Sequence, residues 1–119
     1  MKVLIFVLNK VEKLDELLIE LSNNGLKGAT ILKSVGMAKS IYNSTKKEES
    51  RNIIMDSLKI LLSETDNENR TIFTVVDESQ EKIFYNTVEE VIGPVSKENT
   101  GIIFTIPLSS VYGLNSNWY

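Results

Sequence analysis

The stretch GATILKSVGMAKSIYNS, residues 28 to 44, decides how this chain is read. It starts as a strand: Thr30, Ile31, Leu32 and Val35 favour an extended backbone. Ala29, Ile31, Ser34 and Gly36 break strict alternation, and after Gly36 the chain turns polar. No strand-like run returns until Arg70. A small domain that spends so many residues between two strands is building an excursion, and the elements on either side set the fold that carries it.

Upstream, Lys2 to Leu8 is almost wholly apolar, the pattern of a strand covered on both faces. Asn9 with Glu12 three residues later predicts a capping-box start for a helix. Val11, Leu14, Leu17, Leu18 and Leu21 repeat at helical spacing, and Asn23-Asn24-Gly25 predicts its end, with Gly25 in the left-handed conformation. The second strand covers about Ala29 to Val35. Downstream, RTIFTVV from Arg70 to Val76 is a third strand. Asp77 and Gln80 start a helix whose apolar stripe is Phe84, Val88, Val91 and Ile92. Gly93-Pro94 ends it, because proline cannot continue the hydrogen-bond ladder. GIIFTI from Gly101 to Ile106, closed by Pro107, is the last strand.

Without the excursion the order is β-α-β-β-α-β. That is the ferredoxin-like plan of an α+β fold: a four-stranded antiparallel sheet with two helices on one face. The chain of 119 residues makes one domain, 1–119. Two helices cover one side of the sheet only, yet VLIFVL, TIFTVV and GIIFTI are apolar at both parities. The second side needs a cover. Another copy of the chain is the favoured one; the alternative is a monomer whose excursion folds back over that side.

The excursion, 38–64, is expected to have two parts. Lys39 to Ser50 is polar and reads as a loop. From Arg51, with Ser50 as a cap, Ile54, Leu58, Leu61 and Leu62 recur at helical spacing, so an extra helix is expected to about Glu64. It is either a packed embellishment or an element that a ligand repositions. The tail, 109–119, carries Val111, Tyr112, Leu114, Trp118 and Tyr119. Tyr112 and Trp118 read as packing groups.

Composition narrows the chemistry. There is no cysteine and no histidine, which removes disulfides, thiolate sites and the commonest general base and metal ligand. No metal site is expected. The net charge is -3 and the 13 basic residues form no block, which argues against nucleic-acid binding. The apolar run Val3–Leu8 is too short for a signal peptide or a membrane span, and a cytoplasmic protein is expected. Glu89 and Glu90 point to different sides of a helix, as solvated charges do.

Three stretches make the chain resemble the PII signalling family. Lys13-Leu14-Asp15-Glu16 is similar to the family's K-L-D-D/E. Gly28-Ala29-Thr30-Ile31, continuing to Gly36-Met37-Ala38-Lys39, is similar to G-x-T-V followed by G-F-G-R. Gly101-Ile102-Ile103-Phe104, with Pro107 and Val111 beyond it, is similar to the G-K-I-F final strand. The likeness covers nearly all of the chain except the excursion.

The resemblance implies a homotrimer that binds a small molecule, with a nucleotide the first candidate, in clefts between subunits. It implies that the excursion is the family's T-loop, which meets an unidentified partner protein. The positions it carries over as ligand-binding are Thr30, Gly36, Met37, Ala38, Lys39 and Ser40 on one side, and Gly93, Lys97, Asn99, Thr100 and Gly101 on the other. No catalytic residue and no particular cofactor is implied. Tyr42 lies on the loop, but its surroundings do not match the tyrosine that some family members modify. Ala38 replaces the second loop glycine, Ser40 the loop-base glutamine and Ile102 the lysine of G-K-I-F, while Gly113 and Asn115 stand where the tail has arginines. Each missing cationic contact to a phosphate is worth about 1.5–3 kcal/mol. These departures weigh against the family's usual ATP binding. Asn99-Thr100-Gly101 also makes an adequate turn without any ligand. Two other readings stay open: an assembly or scaffolding protein with no ligand, which a rigid, fully packed excursion would favour, and an enzyme, because ferredoxin-like folds host many chemistries.

Overall fold

The computed structural model describes residues 1–45, 68–97 and 100–114. The elements are β1 (Lys2–Leu8), a 3-10 turn (Val11–Lys13), α1 (Leu14–Asn23), β2 (Thr30–Ser34), α2 (Met37–Thr45), β3 (Asn69–Val76), α3 (Glu78–Val91) and β4 (Gly101–Pro107). The strands form one sheet in the order β2-β3-β1-β4. All three pairings are antiparallel. The architecture is α+β and compatible with a ferredoxin-like fold.

The period of two along the strands sorts the side chains onto two faces. Leu4, Phe6 and Leu8 of β1 and Ile72 and Val76 of β3 are fully buried. They form one core cluster with Leu17 and Leu21 of α1, Phe84 and Val88 of α3, and Ile92. Phe6 and Phe84 meet edge to face, with ring centroids 6.1 Å apart. Asn24 Nδ2 donates to Thr87 Oγ1 at 3.0 Å and joins the two helices, while Lys2 Nζ pairs with Glu81 Oε2 at 2.9 Å and joins β1 to α3.

The helix ends follow from local chemistry. Gly25 has φ 93°. Its N–H donates to the Ser22 carbonyl, and the Leu26 N–H donates to the Leu21 carbonyl, so the last turn of α1 closes in a Schellman motif. Leu26 then packs against the core. At α3 the Asp77 carboxylate accepts from the Gln80 N–H at 2.8 Å, and Gln80 Oε1 accepts from the Asp77 N–H at 2.8 Å. This is the capping box expected there. The Gly93 N–H bonds back to the Val88 carbonyl, as the Gly93-Pro94 stop requires.

Two expectations need correction. Asn9 does not cap α1: neither Lys10, ahead of the 3-10 turn, nor Lys13, ahead of α1, makes a side-chain cap, and the turn precedes the helix. The Asn9 N–H instead donates to the Thr100 carbonyl at 3.0 Å, and the Asn9 carbonyl accepts from Val11. Its backbone is committed to the neighbouring turn. The second correction falls at the start of the excursion. Residues 39–45, expected as loop, belong to the helix α2. Met37, Ala38 and Lys39 are good helix formers, no glycine or proline follows until Gly93, and the Ser40 N–H closes the first turn on the Gly36 carbonyl at 3.1 Å. Polarity marks an exposed segment and does not by itself make it irregular. The remainder of the expected loop, 46–50, and the expected helix, 51–64, lie outside the described residues.

The tail leaves β4 with the Leu108 N–H on the Met1 carbonyl at 3.1 Å. Leu114 reaches a cavity that it shares with Val3, Phe73 and Val75. Tyr112, expected to pack, is fully exposed. Trp118 lies outside the described residues. Among the described residues no helix is long and apolar enough to cross a membrane.

Candidate functional site

The base of the excursion is built by β2, β3 and the first turn of α2. Ser34, the last residue of β2, faces Asn69, the first of β3. Ser34 Oγ bonds to Asn69 Oδ1 and lies 2.8 Å from Thr71 Oγ1. The departing and returning chains are thus pinned together by three side chains. None of these three residues stands out in the sequence. Only the pairing register brings them together, and no local pattern of residues 34, 69 and 71 carries that register.

Gly36, Met37, Ala38, Lys39 and Ser40 follow at once and share the first turn of α2. Gly36 sits beside Asn69: a Cβ placed on it would meet only Asn69 Nδ2, at 3.9 Å, an ordinary contact. The described fold itself therefore does not demand glycine at position 36. Met37 is 79% exposed, whereas Ala38 and Lys39 are half-buried. Lys33 and Arg70 are direct partners across β2 and β3, two like charges side by side at this end of the sheet. Arg70 Nη1 also reaches Glu68 Oε2 at 3.4 Å and donates to the Asn69 carbonyl at 3.0 Å. Sequence reasoning passed over both cations because their adjacency, like the serine cluster, depends on register.

Gly93, Lys97, Thr100 and Gly101 gather at the other edge of the sheet. Gly93 has φ 107° and open space where a Cβ would stand, which fits a helix terminus. Lys97 is exposed, and its N–H closes a turn on the Pro94 carbonyl. Thr100 is buried, and its Oγ1 has no hydrogen-bond partner among the described residues. Gly101 is explained by packing. Its φ is 143°, and a Cβ there would fall 2.1 Å from the Val7 carbonyl oxygen and 2.9 Å from Phe6 Cε1. The position is glycine because β1 lies against it. Beside Gly101 an open groove of about 490 Å³ is lined by Tyr85, Glu89, Pro94, Val95, Ser96 and the first residues of β4. The Glu89 carboxylate on its wall opposes a polyphosphate at that spot. Asn99 lies outside the described residues.

Thr30 stands apart from both groups. It pairs with Phe73 and is exposed on the uncovered face, four residues back along β2 from Ser34.

The two groups share one end of the sheet and are separated by its width. The pairings place Lys33, Arg70, Leu8 and Gly101 in one row across β2, β3, β1 and β4. Three strand spacings at about 4.8 Å put the ends of that row roughly 14 Å apart. Within one chain, the α2 turn and the Gly93–Gly101 turn do not meet.

The titrating groups on α3 are structural. The Asp77 carboxyl is held below its usual value, chiefly by the Gln80 backbone N–H it caps. The Glu81 carboxyl is lowered by its hydrogen bond from Lys2 and then by that from the Tyr85 hydroxyl. The Tyr85 hydroxyl is raised by burial and by Glu81. Among the described residues no group of acidic side chains is arranged to hold a metal ion.

No protein-family model matches the chain, and no curated protein matches it.

Proposed function

We propose that this protein is a ferredoxin-like, PII-like regulatory protein. It acts in the cytoplasm as a homotrimer, takes an anionic small molecule between subunits, and passes that occupancy to a partner protein through the excursion after β2. The observation that carries this reading is the separation just described. Two motif-bearing turns lie at one end of the sheet on opposite edges, so a site made from both requires two copies of the chain. The free apolar face of the sheet supplies a reason for the copies to associate. Lys33 and Arg70 at the base of the excursion, with Lys39 beyond them, favour a negatively charged ligand there. Differential affinity for two states of the excursion is what would drive signalling.

A ligand-free assembly protein is the second reading. The packing role of Gly101 and the replacement of phosphate-gripping residues by Ala38, Ser40 and Ile102 favour it.

Thermal unfolding with adenine nucleotides and cyclic dinucleotides separates the two. A ligand at a hundred times its Kd stabilises by about 2.7 kcal/mol, which is a rise of several degrees. The regulatory reading expects such a rise with at least one of them, reduced by Lys39→Ala. An assembled protein that none of them stabilises is the ligand-free scaffold.

A further inference from the structure

Asparagine precedes glycine once in the chain, at Asn24-Gly25. That dipeptide carries chemistry of its own. The nitrogen of the following peptide bond can attack the asparagine side-chain amide carbon, and glycine has no Cβ to obstruct the approach. The pair sits where α1 ends and the chain turns toward β2. Asn24 is exposed, so water reaches it. Its partner on α3, Thr87, is 1% exposed.

Three features hold the pair unreactive in the fold. Asn24 Nδ2 donates to Thr87 Oγ1 at 3.0 Å, which fixes the side chain against α3. The Gly25 N–H donates to the Ser22 carbonyl at 3.0 Å. Asn24 has ψ 8°, which keeps its Cβ and the Gly25 nitrogen on different sides of the Cα–C bond. A five-membered ring needs them on the same side. The contact with Thr87 also specifies an amide. The Thr87 hydroxyl already donates to the Ile83 carbonyl at 2.7 Å, so toward Asn24 its oxygen only accepts. An amide N–H satisfies it, and an ionised carboxylate does not.

We propose that Asn24-Gly25 is a latent modification site, masked by the end of α1, and that opening of this turn commits the chain to irreversible deamidation. The Gly25 nitrogen forms a bond to Asn24 Cγ, and the bond from Cγ to the side-chain nitrogen breaks. The proton from Gly25 leaves with that nitrogen as ammonia. Water then opens the cyclic imide at either carbonyl. One opening leaves an aspartate, and the other leaves an isoaspartate whose main chain runs through the former side chain. Water is consumed, ammonia is released and nothing is oxidised or reduced. Either product breaks the link between the helices. A carboxylate cannot donate to Thr87, and it stands at the C-terminal end of α1, where the helix dipole opposes negative charge. The isoaspartate also lengthens the main chain, so the Gly25 and Leu26 N–H groups lose register with the Ser22 and Leu21 carbonyls, and Leu26 is drawn off the core it packs against. The site is the same whatever the protein binds and however many copies assemble.

Peptide mass spectrometry on the full chain, incubated at mildly alkaline pH, reads conversion at Asn24 as the mass gain of an amide-to-acid change. The folded chain should convert many-fold more slowly than the same chain in urea. Thr87→Val removes the acceptor and keeps the shape. Its conversion when folded should rise several-fold, while its rate in urea matches the parent's. Thr87→Ser keeps the acceptor and should convert at the parent's rate. Ile72→Val loosens the buried core away from the turn. Compared at urea concentrations where the two variants are equally stable, Ile72→Val should convert several-fold more slowly than Thr87→Val. Asn24→Asp reproduces one product. It should lower the Tm of the parent, and lower that of Thr87→Val by less.

Equal rates for the folded chain and the chain in urea would mean that the fold does not mask the pair, and would overturn the proposal. Thr87→Val converting no faster than Ile72→Val would overturn it as well, because protection would then come from global stability and not from the turn. An Asn24→Asp chain as stable as the parent, or destabilised equally in both backgrounds, would refute the break assigned to the link between α1 and α3.

Discussion

The two faces of the sheet are written in nearly the same alphabet and have opposite fates. Leu4, Phe6, Leu8, Ile72 and Val76 face α1 and α3 and are fully buried. Ile102, Phe104 and Ile106, from an equally apolar strand, stay 42–57% exposed on the other side. Strand formation needs only the side-chain type, so both faces satisfy it. Removal from water needs a second layer, and two helices provide one layer only. The difference teaches where the chain's own two helices stop covering the sheet, and which side the proposed association would take.

Substitutions should separate the two faces. Phe6→Ala empties the ring that meets Phe84 edge to face, and should cost about 3–5 kcal/mol in urea unfolding. A loss under ~1 kcal/mol would mean that the covered face is not the core. Gly101→Ala comes next. It forces a Cβ against the Val7 carbonyl in a backbone region that side chains rarely adopt, at a cost of about 2–4 kcal/mol. If Gly101 served a ligand alone, the apo protein would keep its stability and only binding would fall.

On the uncovered face the expected outcome is of another kind. Phe104→Ser should leave the far-ultraviolet circular dichroism spectrum of each chain almost unchanged, and shift the chain's own stability by about 1 kcal/mol or less. The assembled particle should dissociate. A variant that stays assembled would move the association surface elsewhere.

The smallest effect belongs to the α3 cap. Asp77→Ala should cost about 1 kcal/mol. Asp77 and Glu81 both titrate below their usual values in the fold, so each contributes stability that is present above the unfolded-state pKa. That stability is lost as pH falls from the ordinary carboxylate values of 3.8 and 4.5 through the lowered ones. Acid titration of the Tm should show a step in that window, and Asp77→Ala should shrink it.

These features differ in how far the sequence announced them. β1, β3, β4 and α3 could be read because their signals are local: an apolar run, an Asp77–Gln80 pair, a Gly93-Pro94 stop. Gly25 could be read for the same reason. The Asn9 cap could not, since a backbone bond to Thr100 decided it. The α2 helix was hidden because polar residues are compatible with either state. At the candidate site, the Gly36–Ser40 turn and Gly101 were singled out by resemblance, and the packing of Gly101 against the Val7 carbonyl could not be read, since a ligand glycine and a packing glycine look alike in sequence. Ser34, Asn69 and Thr71, and the adjacency of Lys33 to Arg70, exist only through register.

Sedimentation equilibrium at micromolar concentration tests the central claim most directly. The uncovered face predicts an assembled species with no protomer down to the low micromolar range, and the PII-like reading sets its mass at three times the 13.4 kDa of the chain. A stable, soluble species of 13.4 kDa across that range would contradict it, and the site shared between copies would go with it.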